Sequence, residues 1–201
     1  MPSTLPVRPD ATGCAVVSLR PVHERLTDLW NQRWPKVHPC LPDQLKTEYR
    51  DQWVRFHCLP ESKRYPETEH EYEIVLGRYN TVMDELFSGQ IYVLTSVYTS
   101  SPGWAGEDEP WRVAELEGEP GFESYAHLFL AKREWEPGAI DGLLRRVADD
   151  AEAGVTIADL NLRWLFHPYD GGMDVLASTT ADRDTLRDRH RNWLSAHPMG
   201  Y

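Results

Sequence analysis

The stretch LNLRWLFHPYDGGMDVLAS, residues 160–178, carries the strongest local structural signal in the chain. Apolar residues alternate on either side of an Asp-Gly pair: Leu160, Leu162, Trp164 and Phe166 before it, and Met173, Val175 and Ala177 after it. A period of two is typical of a half-buried strand, and Asp-Gly is a favoured two-residue turn. We therefore predict a β-hairpin here.

The predicted turn also fixes which side chains face each other. If Asp170 and Gly171 form the turn, His167 lies directly opposite Asp174. Opposed side chains have Cβ atoms about 5 Å apart, close enough for an imidazole to hydrogen-bond a carboxylate. Such a pair can serve as a general base or can simply fix the hairpin register. Both interpretations stay open, and the catalytic candidates are His167 and Asp174, with His57 as a third.

The rest of the chain supplies helices and further strands around this hairpin. Apolar residues at helical spacing predict helices over residues 21–34, 69–87 and 138–153 and a last helix capped by Thr179 and Asp182. Alternation and β-branched residues predict strands at residues 52–59, 91–99 and 125–132. We expect an α+β fold, a mainly antiparallel sheet of about five strands with helices packed on one face. Residues 1–18 should form an irregular N-terminal arm, and residues 19–201 a single α+β domain.

Charge and composition restrict the function classes. The 201 residues include 32 acidic and 21 basic side chains, a net charge of −11. This charge argues against a non-specific nucleic-acid binder, which needs a positive face. We find no apolar run that could cross a membrane and no signal peptide, so we expect a cytoplasmic protein. Phosphate-loop, dinucleotide, nucleophile-elbow and zinc motifs are absent from the sequence, and we expect no metal and no cofactor.

Much of the negative charge is local. Residues 101–123 hold seven acidic side chains against Arg112 alone, and we interpret the segment as one long loop between two strands. Such loops are functional or disordered in most proteins. In one interpretation the loop binds a basic protein partner through Trp104, Glu107, Asp108, Glu109 and Trp111. In the other it is a solvated loop whose tryptophans pack back onto the domain.

A second charged cluster follows the first predicted strand. Arg55 and His57 leave that strand on one side, and the loop and helix that follow contribute Ser62, Lys63, Arg64 and Arg78. Together these groups are suited to bind a phosphate or carboxylate. The alternative is ion pairing with nearby carboxylates, namely Glu61, Glu67 and Glu71. Adjacent His57 and Cys58 point to opposite faces of the strand and cannot act together as base and nucleophile.

The run HPYDGGMDVLASTTADRDTLRDRHRNWLS, residues 167–195, resembles the C-terminal signature of an uncharacterised bacterial family, a domain of unknown function. That signature is a PYD(x)GMDV hairpin followed by a helix ending in YxxW, and His190 stands here in the place of its tyrosine. The run WVRFHCLPESKRY, residues 53–65, is similar to a more N-terminal part of the same family. The resemblance implies no catalytic residues. In size and acidity such proteins resemble small intracellular proteins found beside bacterial toxin genes, which implies an immunity-type binding role.

Two hypotheses of function follow. The first is a small acidic protein-binding module, immunity-type or regulatory, that uses the acidic loop against a basic partner. The second is a small enzyme or ligand-binding protein for an anionic metabolite or nucleotide. Its pocket would be lined by a set of Arg, His and Asp side chains, namely Arg55, His57, Arg64, His167 and Asp174. This second hypothesis requires the first strand and the last hairpin to lie close together in one sheet.

Overall fold

A computed structural model describes residues 20–116 and 123–194 of the chain. The irregular arm expected over residues 1–18 lies outside these described residues. Within them, no helix is both long enough and apolar enough to cross a membrane.

The described residues form five α-helices around one antiparallel sheet of seven strands. The helices are α1 (Arg20–Arg33), α2 (Pro42–Glu48), α3 (Glu69–Leu86), α4 (Asp141–Ala148) and α5 (Thr180–Arg189). The strands are β1 (Trp53–His57), β2 (Gln90–Thr99), β3 (Arg112–Leu116), β4 (Ser124–Glu134), β5 (Thr156–Asp159), β6 (Trp164–Tyr169) and β7 (Gly172–Ala177). Their order across the sheet is β1-β7-β6-β5-β2-β4-β3. The α+β class and the antiparallel sheet are confirmed, but the sheet has seven strands rather than about five.

Helices cover both faces of the sheet, so the expectation of helices on one face is wrong. One core cluster joins α3, α4 and α5 to side chains such as Phe56 and Phe166. A second cluster joins α1 and α2 to the opposite face, with Trp30 and Trp34 of α1 buried against it. Strand β2 shows the reason, because four consecutive residues from Ile91 to Leu94 are buried and alternate between the two clusters. A run buried on both faces needs a covering layer on each side.

Three short elements were not predicted from the sequence. Strand β5 is buried at all four positions and therefore shows no alternation. Strand β3 lies inside the segment interpreted as a loop, and α2 begins at Pro42, between the first predicted helix and the first predicted strand. Residues 160 and 162 belong to a tight turn rather than to a strand, since the Asp159 carboxylate accepts hydrogen bonds from the backbone amides of Arg163 and Trp164. The hairpin accordingly begins at Trp164.

The register of the β6–β7 hairpin is as predicted. Tyr169 pairs with Gly172 across the Asp170-Gly171 turn, and His167 pairs with Asp174. The buried Tyr79 of α3 holds this turn, since its hydroxyl lies 2.7 Å from the Tyr169 carbonyl oxygen and 3.2 Å from that of Gly172. Strand β1 adds to the outer side of β7. The first strand and the last hairpin therefore lie side by side in one sheet.

Gly172 should be intolerant of any side chain, because a Cβ there would lie 2.3 Å from the carbonyl oxygen of Phe56 and 2.7 Å from the Tyr169 hydroxyl. We expect Gly172→Ala to lower the free energy of unfolding by about 1–3 kcal/mol, measured by urea denaturation. The matched control is Gly77→Ala in α3, where nothing lies within 4 Å of the added carbon. That control should raise stability by about 0.5–1 kcal/mol through helix propensity. Equal effects at the two glycines would contradict the tight β1–β7 approach.

Candidate functional site

An ion pair between Arg55 and Asp174 lies at the centre of the predicted catalytic and ligand-binding residues. The two face each other across the β1–β7 pair. The Arg55 guanidinium binds the Asp174 carboxylate through two hydrogen bonds of 2.7 Å each, and the two side chains are 16% and 6% exposed. The guanidinium also lies 4.8 Å from the centroid of the Tyr169 ring. The pairing of β1 with β7 therefore places the Arg55 guanidinium and the Asp174 carboxylate in one ion pair.

His167 is opposite Asp174 in register but forms its hydrogen bonds elsewhere. Its Nδ1 lies 2.6 Å from the carbonyl oxygen of Val155. A carbonyl only accepts, so Nδ1 carries the hydrogen and the neutral ring leaves Nε2 as an acceptor. Within the described residues no hydrogen bond joins this imidazole to Asp174, whose oxygens are bound by Arg55. The opposition of His167 and Asp174 is confirmed, and a catalytic role for them stays a prediction.

A small cleft beside His167 has four carboxylates in its lining. It has a volume of about 160 Å³. Its lining includes His167, Tyr98 and Tyr169 together with four carboxylates, namely Asp43, Asp150, Glu152 and Asp170. This lining disfavours an anionic ligand, because like charges repel at close range. Across the described residues, no three His, Cys, Asp or Glu side chains are grouped so that they could hold a metal ion.

The other predicted cations are also held by partners. Lys63 contacts Glu67 at 3.1 Å and Glu71 at 2.7 Å, and Arg64 contacts Asp170 at 2.6 Å. Ser62 is exposed in the short turn between β1 and α3. Two of the three acidic partners proposed for the ion-pair alternative are therefore found in such pairs. Anion binding by this cluster stays a prediction, and it would require these ion pairs to open.

Arg78 and His57 belong to the outer edge of β1 rather than to the acidic cleft. Arg78 donates to the His57 carbonyl at 2.8 Å and lies 5.0 Å from the ring centroid of Trp193. The His57 Nε2 is buried without a hydrogen-bond partner among the described residues. Burial lowers the pKa of His57, and the nearby charges of Arg55 and Arg78 lower it further. The ring is therefore neutral at pH 7, which suits an edge packed between two cations.

The two tryptophans of the acidic segment pack against the domain. Trp111 is 6% exposed, and its Nε1 donates to the His23 carbonyl and to the Thr27 hydroxyl of α1. Trp104 lies against the His127 and Phe129 rings of β4, at centroid distances of 5.3 and 4.8 Å. Their positions agree with the alternative in which the tryptophans pack back. They leave Trp111 unavailable as an exposed anchor.

The described acidic side chains of the same segment are exposed and lie next to β3, which among the described residues pairs with a strand on one side only. Glu107, Asp108 and Glu109 precede β3, the last strand of the sheet. Glu115 within β3 and Glu123 before β4 are exposed as well. Within the described residues none of these five carboxylates takes part in an ion pair. The sequence RVAEL has no apolar–polar alternation that could have revealed β3, and the surrounding Gly, Pro and acidic residues favoured a loop.

The Arg55–Asp174 pair should behave as a buried ion pair in a double-mutant cycle. Removing one partner leaves the other charge buried, so Arg55→Met and Asp174→Leu should each lower the free energy of unfolding by about 3–5 kcal/mol. The double variant should lose much less than the sum, since it leaves no unpaired charge. The control cycle is the exposed Arg145–Glu69 pair, with an expected coupling below about 1 kcal/mol. If the double variant loses the sum of the two single losses in the free energy of unfolding, the two charges do not interact and the prediction is wrong.

Comparison with known proteins yields a family but no characterised relative. Residues 41–198 match the family described as Domain of unknown function (DUF3885). This range includes both stretches on which the sequence resemblance was based, and membership in an uncharacterised domain family is confirmed. The finer C-terminal signature stays a prediction. No curated protein and no solved structure matches the chain.

Proposed function

We propose that this chain, which belongs to the DUF3885 family of domains of unknown function, is a binding module for a basic segment of another protein. The observation that carries the proposal is the acidic edge: the side of β3 that has no strand partner in the described part of the chain, together with the exposed carboxylates of Glu107, Asp108, Glu109, Glu115 and Glu123. An immunity-type or regulatory role in the cytoplasm is the form of this proposal that the sequence resemblance favours.

The charge of the acidic edge supports a cationic partner. Its carboxylates have no ion pairs within the described residues, whereas Glu67, Glu71 and Asp174 elsewhere on the protein are paired with cations. A group of unpaired carboxylates attracts a positively charged surface and raises its rate of association. The same charges repel acidic proteins. The only cation in residues 101–123 is Arg112, which lies over the Trp111 ring at 5.9 Å. A partner rich in Lys or Arg is therefore the complementary one.

The backbone of β3 supports a partner in extended conformation. A strand at the end of a sheet presents unpaired N–H and C=O groups to which a further strand can add. At the opposite end of the sheet, arginines block the edge of β1. Arg183 donates to the Trp53 carbonyl at 3.2 Å, and Arg78 donates to the His57 carbonyl. In the described part of the chain β3 shows no comparable side-chain contact to its backbone, and Val113 on it is 38% exposed.

The packing of Trp104 and Trp111 against the domain supports the edge indirectly. Trp111 precedes β3 and is hydrogen-bonded to α1, while Trp104 covers His127 and Phe129 of β4. Both contacts hold the start of the edge strand against the domain. A strand held in place before binding loses less conformational entropy when a partner adds to it.

A cationic strand-forming peptide tests the proposal. The probe is a fluorescent peptide of about eight residues that alternates Lys or Arg with Val. By anisotropy, we expect saturable binding that weakens as salt rises. The variant E107Q/D108N/E109Q/E115Q should bind at least about tenfold more weakly. The charge-matched control E48Q/D51N/D84N/E136Q alters exposed carboxylates elsewhere and should bind as the unmodified protein does.

A second readout distinguishes strand addition from general charge attraction. Hydrogen exchange at the amides of residues 112–116 should slow when the peptide is bound, and a peptide with a central proline should bind less well because it lacks an N–H donor. Equal weakening by the two quadruple variants, or no change in exchange at β3, would refute binding at the acidic edge.

A further inference from the structure

The acidic cleft, the cleft of about 160 Å³ beside His167, lies where α2, the end of β2 and the loop after α4 meet the β6–β7 turn. Sites for drug-sized ligands begin at about 300 Å³, so this cleft fits a group of only a few non-hydrogen atoms. The side chains of His167 and Tyr98 point to the side of the sheet that α2 covers. Each follows a residue of the second core cluster by an even number of positions, Leu165 for His167 and Leu94 for Tyr98.

His167 offers an unused hydrogen-bond acceptor to the acidic cleft. The residue is only 7% exposed, and its Nδ1 donates to the Val155 carbonyl at 2.6 Å. The Nε2 lone pair is therefore free to accept. Within the described residues Nε2 takes part in no hydrogen bond, and it is not among the unpartnered polar atoms that are sealed from solvent. Because His167 lines the cleft, Nε2 opens into it.

The lining of the acidic cleft is negatively charged. It contains four carboxylates and, in the described part of the chain, no Lys or Arg. Three of the carboxylates are paired with a cation outside the lining: Asp43 with Lys46, Glu152 with Arg146 and Asp170 with Arg64. The fourth, Asp150, is in no ion pair within the described residues. One negative charge is therefore left at the cleft, and a single monovalent cation neutralises it.

Tyr98 gives the acidic cleft a partly open aromatic wall. The residue is 47% exposed, so its ring has surface available to a ligand. The loop after α4 lies close to it at Gly154, where a Cβ would be 2.6 Å from the Tyr98 hydroxyl. Burial raises the pKa of Tyr98, so the hydroxyl keeps its proton. Both a cation and alkyl carbons pack favourably against such a ring.

We propose that the acidic cleft binds a primary ammonium group carried on a short alkyl chain. One ammonium N–H donates to the His167 Nε2, the positive charge lies beside the Asp150 carboxylate, and the alkyl carbons lie against the Tyr98 ring. An ammonium group has three donors and no acceptor, which matches a site that offers acceptors. The acidic cleft shares no residue with the acidic edge. Failure of either proposal therefore leaves the other one standing.

Three probes separate the contributions of charge, N–H donors and alkyl chain: butylamine, tetramethylammonium and 1-butanol. At pH 7 an aliphatic amine is protonated. By calorimetry on the full chain, we expect butylamine to bind saturably and at least about tenfold more tightly than the other two. Tetramethylammonium has the charge but no N–H, and 1-butanol has the chain but no charge.

Two further measurements identify the source of the ammonium group and its partner atom. Nα-acetyl-lysine methylamide carries the same group on a peptide backbone. If it binds more tightly than butylamine, the natural ligand is a protein side chain, and if it binds more weakly, a free amine. In ¹⁵N NMR spectra the His167 Nε2 signal should shift when butylamine binds.

A charge-removing variant locates the site. Asp150→Asn removes the unpaired charge at nearly constant shape, and Asn tolerates the left-handed backbone of this residue, with φ 56°. We expect butylamine to bind at least about fivefold more weakly, with the thermal midpoint unchanged. The matched control Asp84→Asn makes the same change at an exposed position of α3, which covers the other face of the sheet, and should leave the affinity unchanged.

Absence of saturable butylamine binding would overturn the proposal. Equal affinity for butylamine and tetramethylammonium would overturn it as well, since general charge attraction then explains the binding. Equal losses in the two Asp→Asn variants, or an unmoved His167 Nε2 signal at saturation, would place the amine elsewhere on the protein.

Discussion

The hydroxyl of Tyr79 donates to the Tyr169 carbonyl at 2.7 Å and lies 3.2 Å from the carbonyl oxygen of Gly172, and these two residues flank the β6–β7 turn. The tyrosine is fully buried, and burial raises its pKa well above the ordinary range, so the hydroxyl keeps its proton. This contact ties α3 to the hairpin in the middle of the protein. Because the turn is fixed, β1 can pair closely with β7 at Gly172, and that pairing places Arg55 against Asp174.

The helix layers leave an edge strand with exposed carboxylates at the other end of the sheet. Helices α3, α4 and α5 cover one face, and α1 with α2 covers the other. Among the described residues, strand β3 remains as an edge flanked by exposed carboxylates. Trp111, which precedes β3, is held to α1 by hydrogen bonds to the His23 carbonyl and the Thr27 hydroxyl.

Sequence reasoning succeeded where the signal is local. The hairpin register, the long helix α3 and the Thr179 cap depend on neighbouring residues, and all three are confirmed. It failed where the cause is non-local. Strand β5 is buried on both faces and so shows no alternation in the sequence. The second helix layer could be predicted only once β2 was known to be buried on both faces. The opposition of His167 and Asp174 was predicted, but the capture of Asp174 by Arg55 follows from β1–β7 pairing.

The tie between α3 and the hairpin turn is the central claim, and native-state hydrogen exchange in a Tyr79→Phe variant tests it most directly. The substitution removes only the hydroxyl and with it the hydrogen bond to the Tyr169 carbonyl, which should lower the free energy of unfolding by about 1–3 kcal/mol. The amide of Cys58, which donates to the Gly171 carbonyl at 3.3 Å, should exchange faster than the change in global stability explains. Unchanged stability together with unchanged exchange at Cys58 would contradict the account.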